Sequence, residues 1–95
     1  MRRAVRLSPA ARGDLERLIE FLAERDENAP ARARSTLEQA LLSLSELSER
    51  GYEVDPVAGI RELKVKFGRY GYAIQYRVDP DAVFVAHIFH VLETR

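Results

Sequence analysis

The residues best suited to chemistry in this 95-residue sequence are Lys64, Lys66, Gln75, Arg77, His87 and His90, interleaved with Tyr70, Tyr72 and Tyr76. Lysine or arginine at every second position places cations on one side of a strand, where they suit a phosphate backbone or an acidic peptide. His87 and His90 stand three apart, which on a strand sends them to opposite faces, so they are not expected to share a metal. There is no cysteine, which leaves no thiol nucleophile, thiolate zinc site or disulfide. No nucleophile elbow, P-loop or glycine-rich strand-to-helix turn is present, and no motif calls for a cofactor. The three tyrosines share the parity of Ile74 and Val78. They read as core-edge packing, with hydroxyls turned to solvent or a partner.

Charge sharpens this picture. Fifteen basic and fifteen acidic residues cancel, which argues against a general nucleic-acid binder. Their distribution is uneven: residues 59–78 carry Arg61, Lys64, Lys66, Arg69 and Arg77 against Glu62 alone, whereas residues 8–58 are net acidic by five. A basic stretch therefore sits in an otherwise acidic chain, either as a solvated sheet face or as a binding surface. No run approaches the roughly 20 apolar residues of a membrane helix, and the basic N-terminus leads into no signal-like segment. A cytoplasmic protein with no membrane partner is the expectation.

The elements that must position these residues follow from periodicity. Residues 3–7 alternate as a short strand. Ser8-Pro9 is an N-cap followed by proline at the first helical position, and Ala11, Leu15, Leu18, Ile19 and Leu22 form the stripe of an amphipathic helix. Residues 25–30 break the pattern. A second stripe at Ala33, Leu37, Ala40, Leu41, Leu44 and Leu47 predicts a helix to Arg50, with Gly51 in the left-handed conformation that closes it. The short connection makes the pair a helical hairpin. Residues 51–59 read as a loop. From Ile60 the period becomes two. Leu63, Val65 and Phe67 face one way and Glu62, Lys64 and Lys66 the other, while Tyr72, Ile74, Tyr76 and Val78 alternate with Ala73, Gln75 and Arg77. The last strand, residues 82–89, is apolar on both faces, as expected inside a sheet. The sum is one α+β domain spanning residues 1–95, in the order β-α-α-β-β-β: an antiparallel sheet with the hairpin packed on one face. Lys64, Lys66, Gln75 and Arg77 then line the open face.

Four segments resemble the RelE/ParE toxin superfamily, in order and in register. Val5-Arg6-Leu7-Ser8-Pro9-Ala10-Ala11-Arg12-Gly13-Asp14-Leu15 is similar to its L-[ST]-x-x-A-x-x-D-L opening. Gly59-Ile60-Arg61-Glu62-Leu63 resembles its G-x-R-E-L strand, and Tyr72-Ala73-Ile74-Gln75-Tyr76-Arg77-Val78-Asp79 its Y-x-I-x-Y-R-V-D strand. Ile88-Phe89-His90 stands where the family often ends an apolar strand in histidine.

The resemblance implies the toxin of a type II toxin–antitoxin pair, neutralised by a cognate, ParD-like antitoxin. ParE-like members poison DNA gyrase, whereas RelE-like members are ribosome-dependent mRNA endonucleases. It favours the ParE branch, because the arginine that RelE-like toxins use in catalysis falls here on Ala73. For a gyrase inhibitor the expected target contacts are Arg61, Lys64, Lys66, Arg77, His90 and Arg95, with no sequence-specific DNA binding by the toxin alone. For a nuclease, Lys64, Lys66, Arg77 and His90 would form the catalytic set. The antitoxin is expected across the hairpin, on exposed parts of Leu18, Phe21, Leu22 and Leu44.

Overall fold

Ser8 and Pro9 set the first boundary of the fold. In the computed structural model, which describes residues 2–93, strand β1 (Ala4–Leu7) gives way to helix α1 (Pro9–Ala23) at this point. The Ser8 hydroxyl accepts the Ala11 N–H at 2.9 Å and donates to the Ala86 carbonyl at 2.8 Å. One side chain thus caps the helix and ties it to a strand 78 residues away. Ala11, Leu18 and Ile19 of the predicted stripe are buried, with Leu15 and Leu22 packed beside them. Helix α2 (Ala29–Ser43) buries Ala29, Ala33, Leu37 and Leu41, one residue per turn.

Helix α2 stops seven residues before Arg50, where the sequence predicts its end. Serine is the reason. The Ser43 hydroxyl bonds back to the Ala40 carbonyl at 2.6 Å, and Ser45 Oγ donates to the Arg3 carbonyl at 2.7 Å. Such bonds compete with the helical ladder. The chain continues in tight turns, with Leu44 N–H on the Leu41 carbonyl and Ser45 N–H on that of Leu42. Leu47 is left exposed, whereas Leu44 is fully buried. Gly51 is not left-handed. It is glycine because a Cβ there would meet the Tyr76 hydroxyl at 2.6 Å and the Glu62 carbonyl oxygen at 2.8 Å.

The sheet has five strands in the order β1-β5-β4-β3-β2, formed by β2 (Tyr52–Asp55), β3 (Ile60–Phe67), β4 (Tyr70–Val78) and β5 (Ala82–His90) together with β1. Two features depart from expectation. Residues 52–55, predicted as loop, add an edge strand to β3, and β1 runs parallel to β5 while every other pair is antiparallel. The helices cover the face carrying Leu63, Tyr72, Ile74, Tyr76, Val83, Val85 and Ile88, all buried, with α1 against β5 and α2 against β3.

Past Val85, β5 outruns β1, and side chains take over its open edge. Asp14 accepts the Ile88 N–H at 2.9 Å and lies 3.3 Å from His87 Nδ1. Glu93 accepts the His90 N–H at 3.2 Å. The serine and aspartate of the opening motif are therefore fasteners of α1 to the sheet. Asp14→Ala should cost about 1–3 kcal/mol, because it strands a partly buried backbone donor; urea unfolding measures it, and Asp14→Asn, which keeps an acceptor oxygen, should recover part of the loss.

Tyr72 and Tyr76 lie in the core, not at its rim. The Tyr76 hydroxyl turns inward and accepts the Gly51 N–H at 2.9 Å. Burial pushes both phenols above the ordinary tyrosine value of 10.0. A raised native value means that the folded state holds these protons more tightly than the unfolded state does. Their contribution is thus intact below about pH 10 and is lost as pH rises through the folded values. Melting temperature should fall on alkaline titration above that point, and Tyr72→Phe should flatten the decline.

Candidate functional site

Strand register arranges the open face in rows. Tyr52, Glu62, Gln75 and His87 are lateral neighbours across β2, β3, β4 and β5. Glu62 is the centre of this row and, although on the open face, is only 3% exposed. It accepts the Tyr52 hydroxyl at 2.8 Å and the Gln75 amide at 3.0 Å, and Lys64 Nζ lies 3.5 Å away. A buried carboxylate is tolerated because donors converge on it.

On one side of this row stand Lys64, opposite Ala73, and Lys66, opposite Gly71. Both lysines are exposed. On the other side, Ile60, Arg77, Phe84 and Arg6 form a second row across β3, β4, β5 and β1. Arg77 pairs with Asp79 at 3.3 Å, and its guanidinium carbon lies 5.3 Å from the centre of the Phe84 ring. The four residues predicted for this face are there, divided by Glu62 into two basic regions.

Arg61 and His90 do not join them. Arg61 has the parity of Tyr76, and its guanidinium donates to the Gly51 carbonyl at 2.6 Å and to that of Glu49 at 3.3 Å. It fastens the chain entering β2. His90 is opposite Tyr72 on the helix-covered side, with edge-to-face contacts to Tyr70 and Tyr72 at 5.9 and 5.7 Å. Its Nδ1 accepts the Leu92 N–H at 3.2 Å. The physical cause is a bulge in β5 opposite Gln75 and Tyr76, where one extra residue inverts the parity of everything after it. The set Lys64, Lys66, Arg77 and His90 is therefore split by the thickness of the sheet. Arg95 lies outside the described residues.

A second surface lies beside α1. Leu18, Phe21 and Leu22 with Tyr70, Tyr72, His90 and Leu92 line a groove rimmed by Arg17 and Glu93, which pair at 3.0 Å. Leu18 forms its buried floor, while Phe21 is half exposed with the Arg25 guanidinium 3.7 Å over its ring. Leu44, expected to present surface here, has none: it is turned into the core where α2 gives way to turns.

A family model described as the ParE toxin of the type II toxin–antitoxin system matches residues 5–94. The chain belongs to this toxin family. It is 44% identical over 91 residues to Toxin RelE1 of Caulobacter vibrioides, covering 96% of each chain. To Toxin RelE3 of the same organism it is 41% identical over 93 residues, covering 98% of this chain and 99% of the relative. A solved chain of the chromosomal ParDE system from P. aeruginosa shares the fold at TM-score 0.78 and 16% identity, covering 94% of this chain and 96% of that one. The protein is thus a type II toxin of the RelE/ParE superfamily, with two helices on a five-stranded sheet.

Glu62 and the Tyr52 that bonds to it are the open-face residues that the sequence does not single out. Glu62 shares the parity of Lys64, so its position was legible. Its burial was not, because the Tyr52 that covers it comes from an unrecognised strand.

Proposed function

We propose that this toxin acts by binding, as an inhibitor of DNA gyrase neutralised in the cytoplasm by a cognate, ParD-like antitoxin. The observation that carries this reading is the division of the would-be catalytic groups. Lys64, Lys66 and Arg77 occupy the open face, while His90 is on the other side of the sheet. Ala73, where the resemblance places a catalytic arginine, is a fully buried methyl group. A phosphoryl transition state needs cations and a proton carrier within about 3 Å of the reacting atoms, and no such convergence is available to these four residues. An exposed cationic face with a fixed carboxylate suits protein recognition instead. The antitoxin partner is supported by the ParDE system to which the fold is similar, and the groove at Leu18, Phe21 and Leu22 is the apolar surface offered to it.

The second reading, a ribosome-dependent mRNA endonuclease, is favoured by the relatives named RelE1 and RelE3. Purified toxin separates the two. Gyrase-linked cleaved plasmid accumulating on addition of toxin is the expected result. Cut mRNA in a translating extract, with plasmid intact, would overturn the gyrase reading.

A further inference from the structure

Beyond the lysine pair and the α1 groove, a shallow concavity opens where β1, β5, β4 and β3 meet the start of α1. Its lining includes Arg6, Arg12, Arg77, Leu7, Ile60 and Phe84, with no carboxylate among the residues that line it. Arg6 and Arg12 make no ion pair or side-chain hydrogen bond among the described residues, and both are exposed. Arg77 leans toward Phe84 and is held by Asp79. Three guanidinium groups thus surround an apolar floor.

We infer that this concavity is a docking site for an acidic segment of a partner protein, one in which carboxylates flank a leucine or phenylalanine. Charge complementarity selects the carboxylates: two unpaired guanidinium forks stand ready for bidentate contacts. The floor of Ile60 and Phe84 selects the apolar anchor between them. A nucleic-acid strand fits less well. The buried Glu62 interrupts the cationic track toward Lys64 and Lys66, the chain has no net charge, and Arg77 already lies over Phe84, where a base would stack. This inference rests on the sheet face being a protein-binding surface, but not on which target the toxin poisons.

The test is a titration of the intact toxin with a fluorescein-labelled, capped peptide Asp-Asp-Leu-Phe-Asp-Asp, read by polarisation and by arginine Nε chemical shifts. Saturable, salt-sensitive binding that moves the Arg6 and Arg12 signals is expected. Arg6→Ala/Arg12→Ala should weaken it about tenfold or more, the scale of two exposed ion pairs together with what they position. Arg32→Ala/Arg34→Ala, which removes two cations from α2, should leave it unchanged. The circular dichroism of both variants should match that of the parent, since none of the four side chains is in the core. Absence of saturable peptide binding, or equal weakening by both double variants, would overturn the inference. So would an oligothymidylate probe that binds more tightly than the peptide and is lost with Arg6 and Arg12. Gyrase poisoning that persists alongside any of these outcomes would sink this inference alone.

Discussion

Gly71→Ala is expected to destabilise the toxin by about 3–5 kcal/mol, enough to leave a domain of this size largely unfolded at 37 °C. Gly71 sits in β4 at φ 153°, a conformation open to glycine and strained for other residues. A Cβ at this position would press on the Val65 carbonyl oxygen and crowd Lys66 Cα at 3.2 Å. Both neighbours are backbone of β3, the strand paired with β4 here, so neither can swing aside as a side chain would. Relief requires β3 and β4 to separate, and that opens the hairpin bearing Lys64 and Lys66. Urea unfolding of Gly71→Ala beside Gly13→Ala provides the comparison. Gly13 is inside α1 with nothing near its virtual Cβ, so alanine there should stabilise by about 0.5–1 kcal/mol. Equal midpoints for the two variants would show that the clash is absorbed.

The second large effect is functional. Lys64→Ala/Lys66→Ala should lower the toxin's potency in growth arrest by about 100-fold or more. Each lysine is exposed on β3, and charge-assisted contacts to a target contribute about 1.5–3 kcal/mol apiece, with tenfold for every 1.4 kcal/mol. The fold should survive, since Glu62 keeps Tyr52 and Gln75 as donors when Lys64 is lost. Plating efficiency on induction, with thermal melting of the purified variant as control, reads the result. Undiminished killing would move the target contact away from these lysines, and killing lost together with the melting transition would mean that the loss came from unfolding.

What the sequence revealed, and what it hid, divides along physical lines. Local rules located α1 from its Ser8 cap and its stripe, and the β3–β4 hairpin from alternation on both arms. Those signals are written in the residues themselves. Strand β2 carries no such signal, because Tyr52 through Asp55 are all exposed. Only pairing with β3 makes these residues a strand. The end of α2 depended on the Ser45 hydroxyl meeting Arg3, just before β1, a contact far off in sequence. The open face was predicted to hold Lys64, Lys66, Gln75 and Arg77, and it does so because period-two geometry is local. His90 was misplaced into the same company, since a single inserted residue in β5 reverses parity and nothing in an apolar run marks where the insertion falls. Arg61 looked like another surface cation. Its task, holding the carbonyls of Glu49 and Gly51, is invisible until the turns are seen.

The parallel pairing of β1 with β5 has a consequence for synthesis. Strand β1 waits for β5, Ala4 pairing with Ala82 and Leu7 with Val85, and until then Val5 and Leu7 have no strand to join. Contacts this distant slow folding and lengthen the time that apolar strand edges stay accessible. The row that sets Arg6 beside Phe84 comes into being only once β5 has been made. A chain cut short before Ala82 therefore lacks the strand that joins β1 to the sheet and cannot assemble this surface.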